Sequence, residues 1–229
     1  MRIDGRPFVK VCCISSIEEA RLAISLGASA LGLVSSMPSG PGVIQDDLIA
    51  SIAAAVPPPV ATFLLTSRQE AEGIIEQHRF CATTTIQLVD RVPVDELRKL
   101  RRALPGIKLV QVIHVVGDES VAEAGSVAPF VDAVLLDSGN QALAIKELGG
   151  TGRTHDWRLS RRIRAALDVP VFLAGGLNAR NVSEAIATVD PFGLDLCSGV
   201  RSEGRLDETK LRAFFAAAQR NKAEPHLVD

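Results

Sequence analysis

Four cysteines, at positions 12, 13, 81 and 197 of 229 residues, form no paired framework of the kind that staples small disulfide-rich domains. The opening stretch MRIDGRPFVK lacks the apolar core of a secretory leader, so the expectation is a reduced, cytoplasmic protein. No run approaches eighteen consecutive apolar residues, which argues against a membrane-spanning helix. Lys and Arg number 25 against 27 Asp and Glu, a formal net charge of −2, leaving no electrostatic case for nucleic acid or a membrane surface. His78, His114, His155 and His226 are widely spaced, and no HxH, HExxH or CxxC arrangement occurs, so no metal is expected. A GxGxxG fingerprint and a Walker-type loop are missing as well; GGTGRT (149–154) resembles one only superficially. What remains is a small-molecule partner, with no cofactor implied and the oligomeric state not legible.

What is present is a regular alternation. The runs FVKVCC, ALGLVSS, PVATFLL, TTTIQLV, IKLVQVIHV, VDAVLLD, VPVFLAGG and FGLDLCSG are rich in apolar and β-branched residues, as parallel strands buried on both faces require. Between them SSIEEARLAISLGA, DDLIASIAAAV, SRQEAEGIIEQH, VDELRKLRRAL, DESVAEAGSVA, WRLSRRIRAAL, NARNVSEAIATV and DETKLRAFFAAAQ repeat apolar residues at helical spacing, several behind a capping Ser, Asn or Asp. Eight β-then-α units in this length, with 47% hydrophobic residues and no linker, predict one α/β domain: a (β/α)8 TIM barrel over 1–229, with a short flexible N-terminus (1–7) and a frayed tail (221–229).

A barrel of this kind works where its strands end. Alternation along the first strand sends Lys10 and Cys12 to one face and Val9, Val11 and Cys13 to the other, so Cys12 would enter the mouth and Cys13 would pack against helices. Cys12 is then either a small buried core thiol or, with positive charge nearby, a base or nucleophile. Asp137 shares a face with Ala133 and Leu135 and arrives at the mouth of the sixth strand, either as a general acid or as a cap for the following turn. The nineteen residues 138–156 that follow form a long, glycine-containing connection able to cover a ligand. After the last two strands, LAGGLNARNV and LCSGVRSEG bring Gly175, Gly176, Ser198 and Gly199 to the place where barrels commonly bind phosphate through backbone N–H groups; ordinary turns are the alternative.

KVCCIS, VLLDS, GGTGRTHDW, PVFLAGGLNARNV and GLDLCSGV, in that order, resemble the motifs of the phosphoribosylanthranilate isomerase family, from about residue 9 to residue 219. The resemblance implies an Amadori rearrangement of an N-linked aminoaldose phosphate to an aminoketose phosphate, without a cofactor. It places Cys12 at the general-base position and Asp137 at the general-acid position, with Asp195 near the ribose hydroxyls and Gln87 among the substrate contacts.

The departures cluster. Cys13 stands where the family usually has glycine, Pro41 or Gly42 stands in place of an arginine that can pair with the anthranilate carboxylate, Val89 replaces a histidine, and Cys197 replaces a common serine. Arg91, Arg153 or His114 is then expected to bind the carboxylate, or else the substrate is a different sugar-phosphate derivative. A degenerate phosphate-binding barrel is the non-enzyme alternative.

Overall fold

The computed structural model describes residues 7–139 and 152–220. Of the predicted end segments 1–7 and 221–229, all but Pro7 lies outside the described residues, as does most of the connection after Asp137. Strands and helices alternate as β1 (Phe8–Val11), α1 (Ile17–Ser25), β2 (Ala30–Val34), α2 (Asp46–Ala55), β3 (Ala61–Thr66), α3 (Ala71–Cys81), β4 (Thr85–Leu88) and α4 (Val94–Ala103). The second half continues with β5 (Lys108–His114), α5 (Glu119–Val127), β6 (Ala133–Asp137), α6 (Trp157–Ala166), β7 (Val171–Leu173), α7 (Val182–Val189) and β8 (Gly193–Leu196). A short hairpin, β9 (Arg201–Ser202) and β10 (Arg205–Leu206), precedes the last helix, α8 (Glu208–Arg220). Strands β1 to β8 pair in parallel in chain order, and β8 returns to β1 to close the barrel.

Two apolar layers explain the closure. Val9, Val11, Leu31, Leu33, Leu64, Ile86, Ile113 and Leu136 project outward and are sealed by helix residues such as Ile49, Ile74, Leu97 and Ile163. Ala30, Phe63, Val110, Val112, Leu135 and Phe172 fill the lumen. Covering both faces of the sheet buries β2, β4, β6, β7 and β8 along their whole lengths, the usual condition of a parallel sheet. The floor of the lumen is aromatic: Phe8, Phe172 and Phe192 meet edge-on or stacked with centroids 5.4 to 5.6 Å apart. Among the described residues no helix is long and apolar enough to cross a membrane.

One expectation about β1 is corrected here. Cys13 does not pack against the helices. The ladder continues past Val11 through Cys12 N–H donating to Leu196 O at 2.7 Å, and then Cys13 turns to φ +63°, so that Ile14 N–H donates across to Gly32 O at 3.1 Å. A left-handed residue breaks the two-residue alternation, which sends both cysteines into the lumen and returns Ile14 to the outer layer.

Candidate active site

The mouth of the barrel holds a cavity of roughly 630 Å³, open to solvent, at the carboxyl ends of the strands. Cys12 and Cys13 just after β1, Gln87 at the end of β4 with Val89 after it, Asp137 from β6, Gly175 and Gly176 after β7, and Asp195 from β8 with Cys197 and Ser198 after it all line it. Strand geometry thus delivers the predicted base and acid, Cys12 and Asp137, to the same space from strands three places apart by the shorter way round the barrel.

Beneath Cys12 lies a charge the sequence placed correctly but to which it gave no role. Lys10, completely buried, is the register partner of Asp195 on β8, and its Nζ donates to Asp195 Oδ1 at 2.8 Å while lying 5.4 Å from the Phe63 ring centroid. Burial works against the ammonium, but the Asp195 carboxylate together with the neighbouring Cys12 and Cys13 holds Lys10 above the ordinary lysine range. Burial pushes the Asp195 carboxyl up, against the pull of Lys10, and the two groups meet at ion-pair distance. Gly32 on β2 makes the arrangement fit, because a Cβ there would stand 2.7 Å from Cys12 Sγ and 3.1 Å from Lys10 Cε.

The thiols split. A hydrogen bond from Cys13 lowers the Cys12 titration, burial opposes it, and the Lys10 ammonium adds to the lowering. Cys13 moves well above its ordinary value because its proton is held between Cys12 and Cys197, and because it is buried. Cys13 Sγ lies 2.8 Å from Cys197 Sγ and 3.5 Å from Pro41 O.

Two departures from the family pattern touch each other here. Gly42, at φ +76°, has no room for a side chain: a Cβ would fall 2.4 Å from Cys13 Cβ. The cysteine side chain therefore occupies the space from which a side chain at position 42 would reach the cavity.

Asp137 lines the cavity and also caps: its Oδ1 accepts from Ser138 N–H at 2.7 Å and lies 3.5 Å from Ser138 Oγ. One oxygen fixes the turn while the carboxyl faces the cavity. Behind it His155 bonds Ser160 Oγ through Nε2 at 2.6 Å, and burial lowers its titration against the pull of Asp137. His155 lies inside the GGTGRTHDW motif, and nothing in its sequence spacing marks it as a neighbour of Asp137.

Gly175 and Gly176 adopt φ +84° and +62°, and a Cβ at position 176 would meet Gly152 O and Arg153 C at 2.8 Å. Close approach of residues 152–153 is thus one reason for glycine here. Gly199 is not in the cavity wall; a Cβ there would fall 2.0 Å from Leu177 O, so its need for glycine comes from packing the turn Ser198–Val200 against the β7 loop. Gly152, Leu177 and Ser198 complete this end of the wall.

None of the three proposed carboxylate-binding cations lines the cavity. His114 is buried beside it with Nε2 on Val89 O at 3.0 Å. The Arg91 side chain is 68% exposed, with Nε 3.8 Å from Glu123. Arg153 is exposed and enters the site through its backbone against Gly175 and Gly176. Val34, Met37, Ser39, Pro41, Leu65 and Val89 instead form an end of the cavity without a cationic side chain among its described residues.

A closed (β/α)8 barrel that gathers two thiols, two carboxyl groups and a glycine-lined turn at one mouth has the make-up of an enzyme of the TIM-barrel class. The profile of the N-(5'-phosphoribosyl)anthranilate (PRA) isomerase family matches residues 9–217, and the chain belongs to that family. It is 36% identical over 213 residues to N-(5'-phosphoribosyl)anthranilate isomerase 2 of Methanosarcina mazei, covering 92% of this chain and 93% of that one. Identity to the enzyme of Haloferax volcanii is 37% over 213 residues, 92% of each chain. Among solved structures, the phosphoribosyl anthranilate isomerase of Thermotoga maritima superposes with a TM-score of 0.80 at 28% identity, over 93% of this chain and 99% of that one. A phosphoribosyl anthranilate isomerase in complex with reduced 1-(o-carboxyphenylamino)-1-deoxyribulose 5-phosphate gives 0.78 at 26% identity, with the same coverage.

Proposed function

We infer that this chain is a phosphoribosylanthranilate isomerase of tryptophan biosynthesis, converting an N-linked aminoaldose phosphate to an aminoketose phosphate. The observation that carries the reading is the convergence of Cys12 and Asp137 on one cavity, in a barrel whose family carries out this Amadori rearrangement. Asp137 donates a proton to the ribose ring oxygen as the ring opens to a Schiff base. Cys12, as thiolate, removes the C2′ proton to give the enolamine, which tautomerises to the ketose. Asp195, held by Lys10, accepts from the ribose hydroxyls, and Gln87 faces the substrate from β4. Backbone N–H groups around Gly175, Gly176 and Ser198 take the phosphate. At the other end, Ser39 and Gln87 are the polar groups offered to the anthranilate carboxylate in place of an arginine.

Purified protein incubated with phosphoribosylanthranilate should quench its fluorescence at a catalysed rate. General acid or base catalysis contributes about 10²- to 10⁴-fold, so Cys12→Ala and Asp137→Asn should each lower kcat by that order while retaining phosphate-ligand binding. Wild-type turnover that persists in Cys12→Ala would remove the base assignment.

A further inference from the structure

In the acid–base sequence only one of the three thiols in the cavity, Cys12, takes up a substrate proton, and no step passes through the sulfur of Cys13 or Cys197. They face each other across the seam where the barrel closes. Cys12 N–H bonded to Leu196 O fixes the two backbones side by side immediately before the pair, and the two Sγ atoms stand 2.8 Å apart. A disulfide bond is about 2.0 Å long, so joining them needs a small movement of two side chains. From this geometry we propose that Cys13 and Cys197 form a reversible disulfide that switches the enzyme off under oxidation by a peroxide.

The chemistry balances with one peroxide. Cys197, the half-exposed member of the pair, attacks a peroxide oxygen and becomes a sulfenic acid as the O–O bond breaks and the first water leaves. The Cys13 sulfur attacks the sulfenic sulfur, the S–S bond forms, and the hydroxyl departs as a second water carrying the Cys13 proton. Two electrons pass from the thiols to the peroxide, and a dithiol reductant reverses the change by exchange. Cys81 serves as the contrast: it lies apart, wholly buried at the end of α3, where burial and the neighbouring Asp46 push its thiol up to about 12.

Loss of activity follows from the position of the Cys13 proton. That S–H is the group whose hydrogen bond most favours the Cys12 thiolate, and a disulfide removes it. The link also pins the β1 and β8 loops across the mouth.

The test is to treat the full-length protein with hydrogen peroxide, record its mass and activity, then unfold it in urea, block the remaining thiols with iodoacetamide, and map peptides by mass spectrometry. The expected result is a protein lighter by two hydrogen atoms, a Cys13–Cys197 cross-link, two alkylated thiols (Cys12 and Cys81), and turnover lost and then restored by dithiothreitol. Cys197→Ser and Cys13→Gly should both fail to cross-link, either variant sufficing if the other does not fold. Alkylation of both Cys13 and Cys197 after treatment would overturn the proposal, as would a link to Cys12 or full turnover in the cross-linked protein.

Discussion

Cys13 carries more consequences than any other single residue in this barrel. At φ +63° it sits where a side chain costs about 1 kcal/mol or more, and glycine would be free of that cost. In return its thiol donates to Cys12, meets Cys197 and fills the space above Gly42. In Cys13→Gly, relief of the left-handed strain is offset by the lost thiol contacts and the freer unfolded chain, so stability should change by no more than about 1 kcal/mol. Activity should respond differently. Cys12 must lose its proton to act, so kcat/KM rises with pH through the Cys12 titration, which lies below the ordinary thiol range because of Cys13 first and Lys10 also. Removing the Cys13 donor moves that rising limb to higher pH and lowers turnover at neutral pH. A pH–rate profile of Cys13→Gly superimposable on wild type would show that Cys12 does not depend on its neighbour.

The elements themselves were legible in sequence because their periodicities are clean: eight strands and eight helices fall where the apolar patterns put them, to within a few residues. The misses have local causes. α3 starts at Ala71 rather than at Ser67, since Thr66 Oγ1 accepts from Arg68 N–H and holds a turn there. α7 starts at Val182, after a turn in which the Asn178 and Asn181 side chains both donate to Gly176 O and Asn178 N–H donates to Asn181 Oδ1. The hairpin β9–β10 gave no strand pattern at two residues a side, and with it went unnoticed the clamp that joins the ends of the barrel. Arg201 donates from Nη2 to Cys12 O at 3.2 Å and Cys13 O at 2.5 Å, and from Nη1 to Glu19 Oε1 at 3.0 Å. Glu19 in turn accepts from Ser15 and Leu206 N–H groups, tying the start of α1 to the hairpin. Breaking a largely buried pair leaves its partner uncompensated, so Arg201→Ala should cost about 3 kcal/mol in urea unfolding. Arg201→Lys should recover only part of this, since an ammonium cannot fork between a carboxylate and two carbonyls. The acid side gives a signed check. Glu19 is held below its ordinary range despite burial, by Arg201 and backbone N–H groups, so its contribution is present above the unfolded carboxyl titration and lost as pH falls through the folded one. That part of the acid sensitivity should be reduced in Arg201→Ala.

For the whole molecule, the seam between the first and last strands is where fold and chemistry coincide. Lys10–Asp195, Cys13–Cys197 and Glu19–Arg201 each join residues more than 180 positions apart, and all three pairs cross the β1–β8 closure. The seven other strand pairings of the barrel rely on apolar layers, while this one carries a buried charge pair inside the lumen. The sequence showed Lys10 on the same face as Cys12, but pairing register between the two chain ends was needed to show what neutralises it. Lys10→Met should therefore destabilise the barrel by about 3 to 5 kcal/mol, because Asp195 is left charged and buried without its partner. Lys10→Met combined with Asp195→Leu removes both charges and should regain most of that loss in urea unfolding, yet remain inactive, since neither the ribose contact nor the cation beneath Cys12 survives. Equal instability of the single and double variants would mean that Lys10 acts through its packing against Phe63 and Gly32, and that the ion pair does not hold the seam.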